Sequence, residues 1–323
     1  MGEIVLSGLT GSQPLGALAA FGLLRCCDDT DPAGWHRLYW RKEPDWVAVL
    51  VPGRPWSADD LVGFLTARQR GRASCRELWW ADDLKTDPGV FRAEALRAGI
   101  AAVAGRRVYA DFLAAFGCEL AVGSTGGVEP TAFHMTSGQQ KFVRSVRVLA
   151  ARLAGTNSPG RQMKGAEEFF REALFGPWRY EDPQHSLGWD PAAERLHALR
   201  GCSPRKDVPR GVAAAVWLAF EALPLFPCFL SQGKLTTRGF VRQEDGPAAL
   251  SWPVWTEPAS LAEVRSLVGL GALGAVAPPI EELWMRGVAA VFRSERYRVK
   301  TRGAYYVLRP ASPAAWTAGN GSR

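Results

Sequence analysis

Arg296, Arg298, Lys300 and Arg302 occupy alternate positions in the run RYRVKTR. On a β-strand, alternation sends all four side chains to one face and Tyr297, Val299 and Thr301 to the other. The residues of the second face favour strands, which supports the assignment. Side chains two positions apart on one face stand roughly 7 Å from each other. Four like charges in such a row repel unless an anion lies along them, and a nucleic-acid backbone has the right charge and length. A basic edge strand that discourages sheet-to-sheet pairing uses the same residues, with acids from elsewhere neutralising the row. A second set of cations, Lys141, Arg144 and Arg147, falls on one flank of an amphipathic segment, where a solvated helix face is the plain reading and assistance to the first set is the functional one.

Motifs for other chemistry are absent. The chain has no GxxxxGK[ST] loop, no GxGxxG after a strand and no GxSxG elbow. The glycine-rich GSTGG at 123–127 lacks the lysine and the strand–helix setting of a phosphate loop and reads as a turn. Carboxylate pairs such as Asp59–Asp60 and Glu281–Glu282 sit where a helix starts, favoured there by the helix dipole. His134, His185 and His197 have no local partner and read as structural histidines. Cysteines 26, 27, 75, 118, 202 and 228 form no CxxC, and no HxxxH or HExxH occurs, so neither a structural zinc site nor a disulfide framework is expected. The reading is a protein with no catalytic residues, no metal and no cofactor. Acids converging only in space, as in a hydrolase or nuclease, remain a rival that motifs cannot test.

The elements that must hold these residues follow from periodicity. A strand at Glu3–Leu6 leads through a Gly/Ser turn to a helix opened by Pro14. Strands at Arg37–Arg41 and Trp46–Val51 flank the turn KEPD, and Ser57 can cap a helix running to Arg68. Helices are expected at Pro88–Ala98, Val108–Phe116 and 138–154, the last with a capping box from Ser137 to Gln140 and the stripe Phe142, Val146, Leu149, Leu153. Beyond the loop GTNSPGRQ, 155–162, come helices near 165–175, 191–200 and 210–222, then strands at Phe226–Leu230, Leu235–Arg242 and Ala249–Trp255. Helices at Pro258–Val268 and Ile280–Met285 precede strands at Val288–Phe292, Tyr297–Arg302 and Ala304–Leu308, the last two joined at Gly303. Helices and strands do not alternate strictly, so the expected class is α+β, with short, mainly antiparallel sheets in two lobes. The expected division is an N-terminal lobe over 1–157, a C-terminal lobe over 158–310 ending in the basic hairpin, and a flexible tail over 311–323. Of the 13 tryptophans, the pairs Trp79–Trp80 and Trp252/Trp255 are densest; stacking on bases is one use for them, and core filling is the preferred reading.

Charge is distributed unevenly. The chain of 323 residues carries a formal net charge of +7, and residues 286–323 hold eight basic residues against one acid, Glu295, so the whole excess lies in that stretch. Hydrophobic residues make up 47% and charged residues 22%, which excludes a wholly disordered chain or a rod. The apolar run Leu15–Leu24 is too short to cross a bilayer, and the cysteine usage fits a reduced compartment, so a cytoplasmic protein without a membrane partner is expected.

Several stretches also carry a resemblance. LSGLTGSQPLGALAAFGLLR within 5–25, TSGQQKFVRSVRVLAARL at 136–153, HSLGWDPAAERLHALR at 185–200, AAAVWLAFEALPLFP at 213–227, and SWPVW with VRSLVGL within 251–270 resemble, in order, blocks of subunits encoded in type I-G (formerly I-U) CRISPR–Cas loci. Large-subunit-like, accessory and helicase–nuclease-extension proteins of those loci share the likeness. The resemblance implies a subunit of an RNA-guided DNA-targeting complex, in which guide pairing reads sequence while protein subunits hold backbones and recruit the nuclease. Its implied partners are the other type I effector subunits and guide RNA or target DNA; an adaptor docking on the helicase–nuclease without touching DNA is the alternative. It brings no catalytic residues with it.

Overall fold

A computed structural model describes residues 2–31, 34–136, 140–155, 165–193, 209–242, 247–299 and 305–316. Strand β1 (Ile4–Thr10) runs into helix α1 (Pro14–Thr30), whose first turn contains Pro14. Helix α1 is buried on all sides from Pro14 to Cys27, which makes it the central helix of the core. Strands β2 (Arg37–Glu43) and β3 (Asp45–Val51) form a hairpin, and β3 lies between β1 and β2 in an antiparallel sheet. Helix α2 (Ala58–Arg72) starts as expected: the Ser57 hydroxyl accepts from the Asp60 amide at 3.2 Å, while the Asp60 carboxylate accepts from the Ser57 amide at 2.8 Å. Helices α3 (Pro88–Val103) and α4 (Val108–Phe116) follow, then the hairpin of β4 (Gly117–Val122) and β5 (Val128–Pro130). GSTGG is its turn, with the Gly126 amide bonded to the Gly123 carbonyl at 3.0 Å.

Helices α5 (Phe142–Leu153), α6 (Ala166–Phe175) and α7 (Ala213–Glu221) come next. Strands β6 (Cys228–Ser231) and β7 (Lys234–Thr237) make a small hairpin. Then come β8 (Phe240–Arg242), β9 (Ala248–Trp255), the short helices α8 (Leu261–Leu267) and α9 (Ile280–Trp284), β10 (Val288–Val299), β11 (Tyr305–Leu308) and β12 (Ser312–Trp316). The order β11-β10-β9-β8, with β12 also paired to β10, defines a five-stranded antiparallel sheet. Among the described residues all strand pairings are antiparallel, and helices and strands do not alternate; the class is α+β.

Several expectations differ from the structure. The stretch 235–242 is two strands, because the chain turns at Gly239 (φ +82°), where a Cβ would meet the Phe226 ring at 2.9 Å. Strands expected at 288–292 and from 297 are one long strand, β10, held from Val288 to Glu295 by β9. Helix α5 begins at Phe142, not 138; Lys141 is its N-cap and Gln140 lies outside it, so the expected capping box does not open the helix (Ser137 is outside the described residues). Residues 312–316 of the expected flexible tail are an edge strand on β10, with Pro313 at the edge where its missing N–H costs least; 317–323 lie outside the described residues. The helix expected at 191–200 begins as a 3-10 turn at Pro191–Ala193, and the remainder lies outside the described residues.

One buried cluster draws on residues from both sides of position 157, from Ile4 to Leu308. Phe21 of α1 stacks on Trp255 of β9 at 5.8 Å and meets Trp40 of β2 edge-on at 6.2 Å. The indole N–H groups of Trp252 and Trp255 donate to the carbonyls of Gly11 and Leu38, each at 2.7 Å. Gly22 brings α1 against α7: a Cβ there would lie 1.7 Å from the Leu218 carbonyl oxygen. The tryptophan pair Trp252/Trp255 thus fills the core, as does Trp80, while Trp79 is half exposed.

Candidate nucleic-acid interface

The ladder of β10 and β11 sets Arg296 opposite Leu308, Tyr297 opposite Val307 and Arg298 opposite Tyr306. Arg296 and Arg298 therefore share a face with Tyr306 and Leu308. The two arginines differ in what they touch. The Arg296 guanidinium lies 3.7 Å from the Tyr306 ring centroid, and its Nη2 donates to the His134 carbonyl at 3.0 Å. Its Nε is buried without a hydrogen-bond partner. Burial lowers its pKa, opposed by Tyr306 and Glu129. Arg298, one pair further along, is exposed, and among the described residues it has no ion pair. Lys300 and Arg302 lie outside the described residues. On the opposite face, Arg309 covers the Tyr297 ring at 4.2 Å and reaches Glu295 at 3.4 Å.

Helix α5 carries the second set. Its first turn is capped from a distance: Asp83 Oδ1 accepts from the Phe142 amide at 3.2 Å and from the Leu84 amide at 3.0 Å, and bonds His134 Nε2 at 2.8 Å. Burial pushes the Asp83 carboxyl up, but His134 and these amides outweigh it and hold the group below its ordinary value. Lys141 Nζ stands 3.8 Å from Asp83 Oδ2, with its side chain half exposed. Arg144 is exposed, and its backbone amide donates to the Asp82 carbonyl at 3.0 Å. Arg147 turns back into the protein, donating to the carbonyls of Leu78 and Ala81 at 2.8 and 2.9 Å and to Asp82 at 2.9 Å, with its guanidinium 4.5 Å from the Trp79 ring centroid. Arg147 thus tethers α5 to the 78–82 segment, and it covers the exposed indole face that a base would need.

The structure links the two sets through His134. Its carbonyl holds Arg296, its ring holds Asp83, and Asp83 holds Lys141 and the start of α5. The hairpin is seated on the same segment: the Tyr306 amide donates to Met135 at 3.0 Å and the Leu308 amide to Gly188 at 2.7 Å. Gly188 has φ +81°, and a Cβ there would stand 2.6 Å from the Tyr306 carbonyl oxygen, so HSLGWD needs glycine at this place for β11 to dock. His134 and His185 prove to have partners; His185 Nδ1 accepts from the Leu187 amide at 2.9 Å. His197 lies outside the described residues.

One cluster escaped the sequence altogether. Glu221 of α7 is fully buried and receives Arg25 of α1 together with Arg68 and Arg72 of α2, the last two at 3.0 and 2.8 Å. Asp29 joins through Arg25 and Arg68, and Glu77 through Arg72. Burial opposes ionisation of Glu221, but the three guanidinium groups outweigh it and hold the carboxyl far below its ordinary range. No local spacing announces a set drawn from three helices. Each of its acids is paired with at least one arginine. Among the described residues, no three His, Cys, Asp or Glu side chains are grouped to hold a metal ion, and no helix is long and apolar enough to cross a membrane. No protein-family model matches this sequence, and no curated protein matches it.

Proposed function

We propose that this chain is a non-catalytic subunit of a type I CRISPR effector, holding a guide-RNA or target-DNA backbone on the β10–β11 hairpin and docking on sibling subunits. The ordered resemblance to type I-G subunits supplies the biological setting. The observation that carries the nucleic-acid part is the pairing of a braced and a free arginine on one strand face: Arg296 is engaged by Tyr306 and His134, while Arg298 projects outward without an ion pair among the described residues. A cation held on a rigid ladder can meet a phosphate without first giving up a competing carboxylate. In the sequence Lys300 and Arg302 continue the same alternation, and Arg144 and Lys141 supply further exposed cations on the element to which His134 and Asp83 connect the hairpin. The row reads backbone charge rather than sequence, as suits a complex in which guide pairing does the reading.

The test is filter binding of the full chain to single- and double-stranded DNA and to RNA over a salt series. Replacing Arg298, Lys300 and Arg302 with Ala is expected to weaken binding to all sequences alike and to reduce the salt slope by about one for each phosphate no longer neutralised. Unchanged affinity and slope would remove the hairpin from the interface.

A further inference from the structure

Helix α3 carries an apolar stripe that no part of the described chain covers. Its buried face is Phe91, Glu94 and Ala98. On the other side Gly89, Ala93, Leu96, Ile100 and Val103 recur at four, three, four and three residues, the spacing of a helix–helix seam. All five are exposed, with Leu96 at 65%, Ile100 at 74% and Val103 at 93%. Leu120 and Val122, alternate residues of β4, are also exposed on the strand against which α3 packs. A single exposed leucine requires no explanation, but a stripe in register along 15 residues does.

The flanks of the stripe state what would cover it. Residues 88–107 contain four arginines and one acid, and of the arginines Arg107 is paired with Asp111 just beyond. That acid, Glu94, is buried and already engaged by Arg76, Arg97 and the Tyr109 hydroxyl. Helical geometry sets Arg92 on one side of the stripe and Arg97 on the other. A second copy of this helix would bring arginine against arginine, which disfavours self-pairing. The longer stretches outside the described residues, 156–164 and 194–208, carry more basic than acidic residues, so they too match poorly.

We propose that α3 is a docking face for an amphipathic helix of another protein, one with an apolar seam flanked by Glu or Asp. The seam would bury Leu96, Ile100 and Val103, and the partner's acids would face Arg92 on one flank and, on the other, the exposed Arg97 that Glu94 only partly neutralises. The face is distinct from the hairpin and stands whether or not that hairpin binds nucleic acid.

The test uses two synthetic helical peptides of about 20 residues with the same leucine seam. One has Glu at the flanking positions and the other Lys. Binding to the full chain is read by fluorescence anisotropy, with folding checked by circular dichroism and self-association by sedimentation. The Glu peptide is expected to bind at least about tenfold more tightly than the Lys peptide. The exposed-site double substitution Leu96→Ser with Ile100→Ser is expected to weaken it by about tenfold or more, and Arg92→Glu to narrow the preference between peptides. Equal binding of both peptides, binding of neither, or indifference to the serine substitutions would each overturn the proposal. A dimer of the chain that the serine substitutions dissociate would overturn it in favour of a second copy.

Discussion

Arg296 of β10 lies over the Tyr306 ring of β11, guanidinium carbon 3.7 Å from the ring centroid, and from there reaches back to the carbonyl of His134. The contact joins the basic hairpin to the segment that also anchors the start of α5. It makes Arg296 a brace and leaves Arg298 as the projecting charge.

Arg296→Ala should therefore lower stability by about 1–3 kcal/mol, the sum of a half-buried cation–π contact and a hydrogen bond from a charged donor. Arg296→Lys keeps the charge but loses the flat fork and should fall between the two. Urea unfolding midpoints check the order.

Arg298→Ala should behave in the opposite way. Among the described residues its side chain makes no ion pair, so stability should stay within about 0.5 kcal/mol of the parent. Backbone affinity should fall across all sequences, and the salt slope by about one. Filter binding and thermal unfolding on the same preparations separate these outcomes.

Glu221→Gln removes the charge that three arginines share and should cost about 3–5 kcal/mol, because the guanidinium groups stay buried without full compensation. The parent should also be acid-sensitive at this site. The folded carboxyl sits far below its ordinary value of 4.5. Above that pH its ion pairs contribute in full; as the pH falls below it, the unfolded chain takes up a proton that the folded chain refuses, and stability declines. Asp29, raised by burial, works against this and reduces the slope. Urea midpoints measured from about pH 6 down to about pH 3 should fall more steeply for the parent than for Glu221→Gln.

Asp83→Ala leaves the Phe142 amide and the His134 ring without their acceptor and should cost about 1–2 kcal/mol, as loss of a helix cap does. Asp83→Asn retains an oxygen acceptor and should cost less. Amide exchange in the first turn of α5 gives the local readout.

Gly22→Ala places a methyl group 1.7 Å from the Leu218 carbonyl oxygen, a backbone atom that can move only if α1 and α7 separate. The loss should reach about 3 kcal/mol or more, visible as a lower thermal midpoint.

The amino-acid sequence by itself determined the elements whose signals are local. Pro14 in the first turn of α1, Ser57 capping α2, the turn at 123–127 and the strand at the start of the alternating run, 297–299, all act within a few residues, so they can be read without the rest of the chain. Only the tertiary structure decided which cations are free. Arg147 and Arg296 look like Arg144 and Arg298 in sequence, yet Trp79, Asp82, Tyr306 and the His134 carbonyl claim the first two. It also decided that α5 starts at Phe142, because its cap is Asp83, 59 positions away, rather than a neighbour. Glu221 gathers arginines from positions 25, 68 and 72 for the same reason. Charge is fixed by residue type, but whether a charge faces solvent or a partner depends on long-range packing, which sequence spacing does not encode.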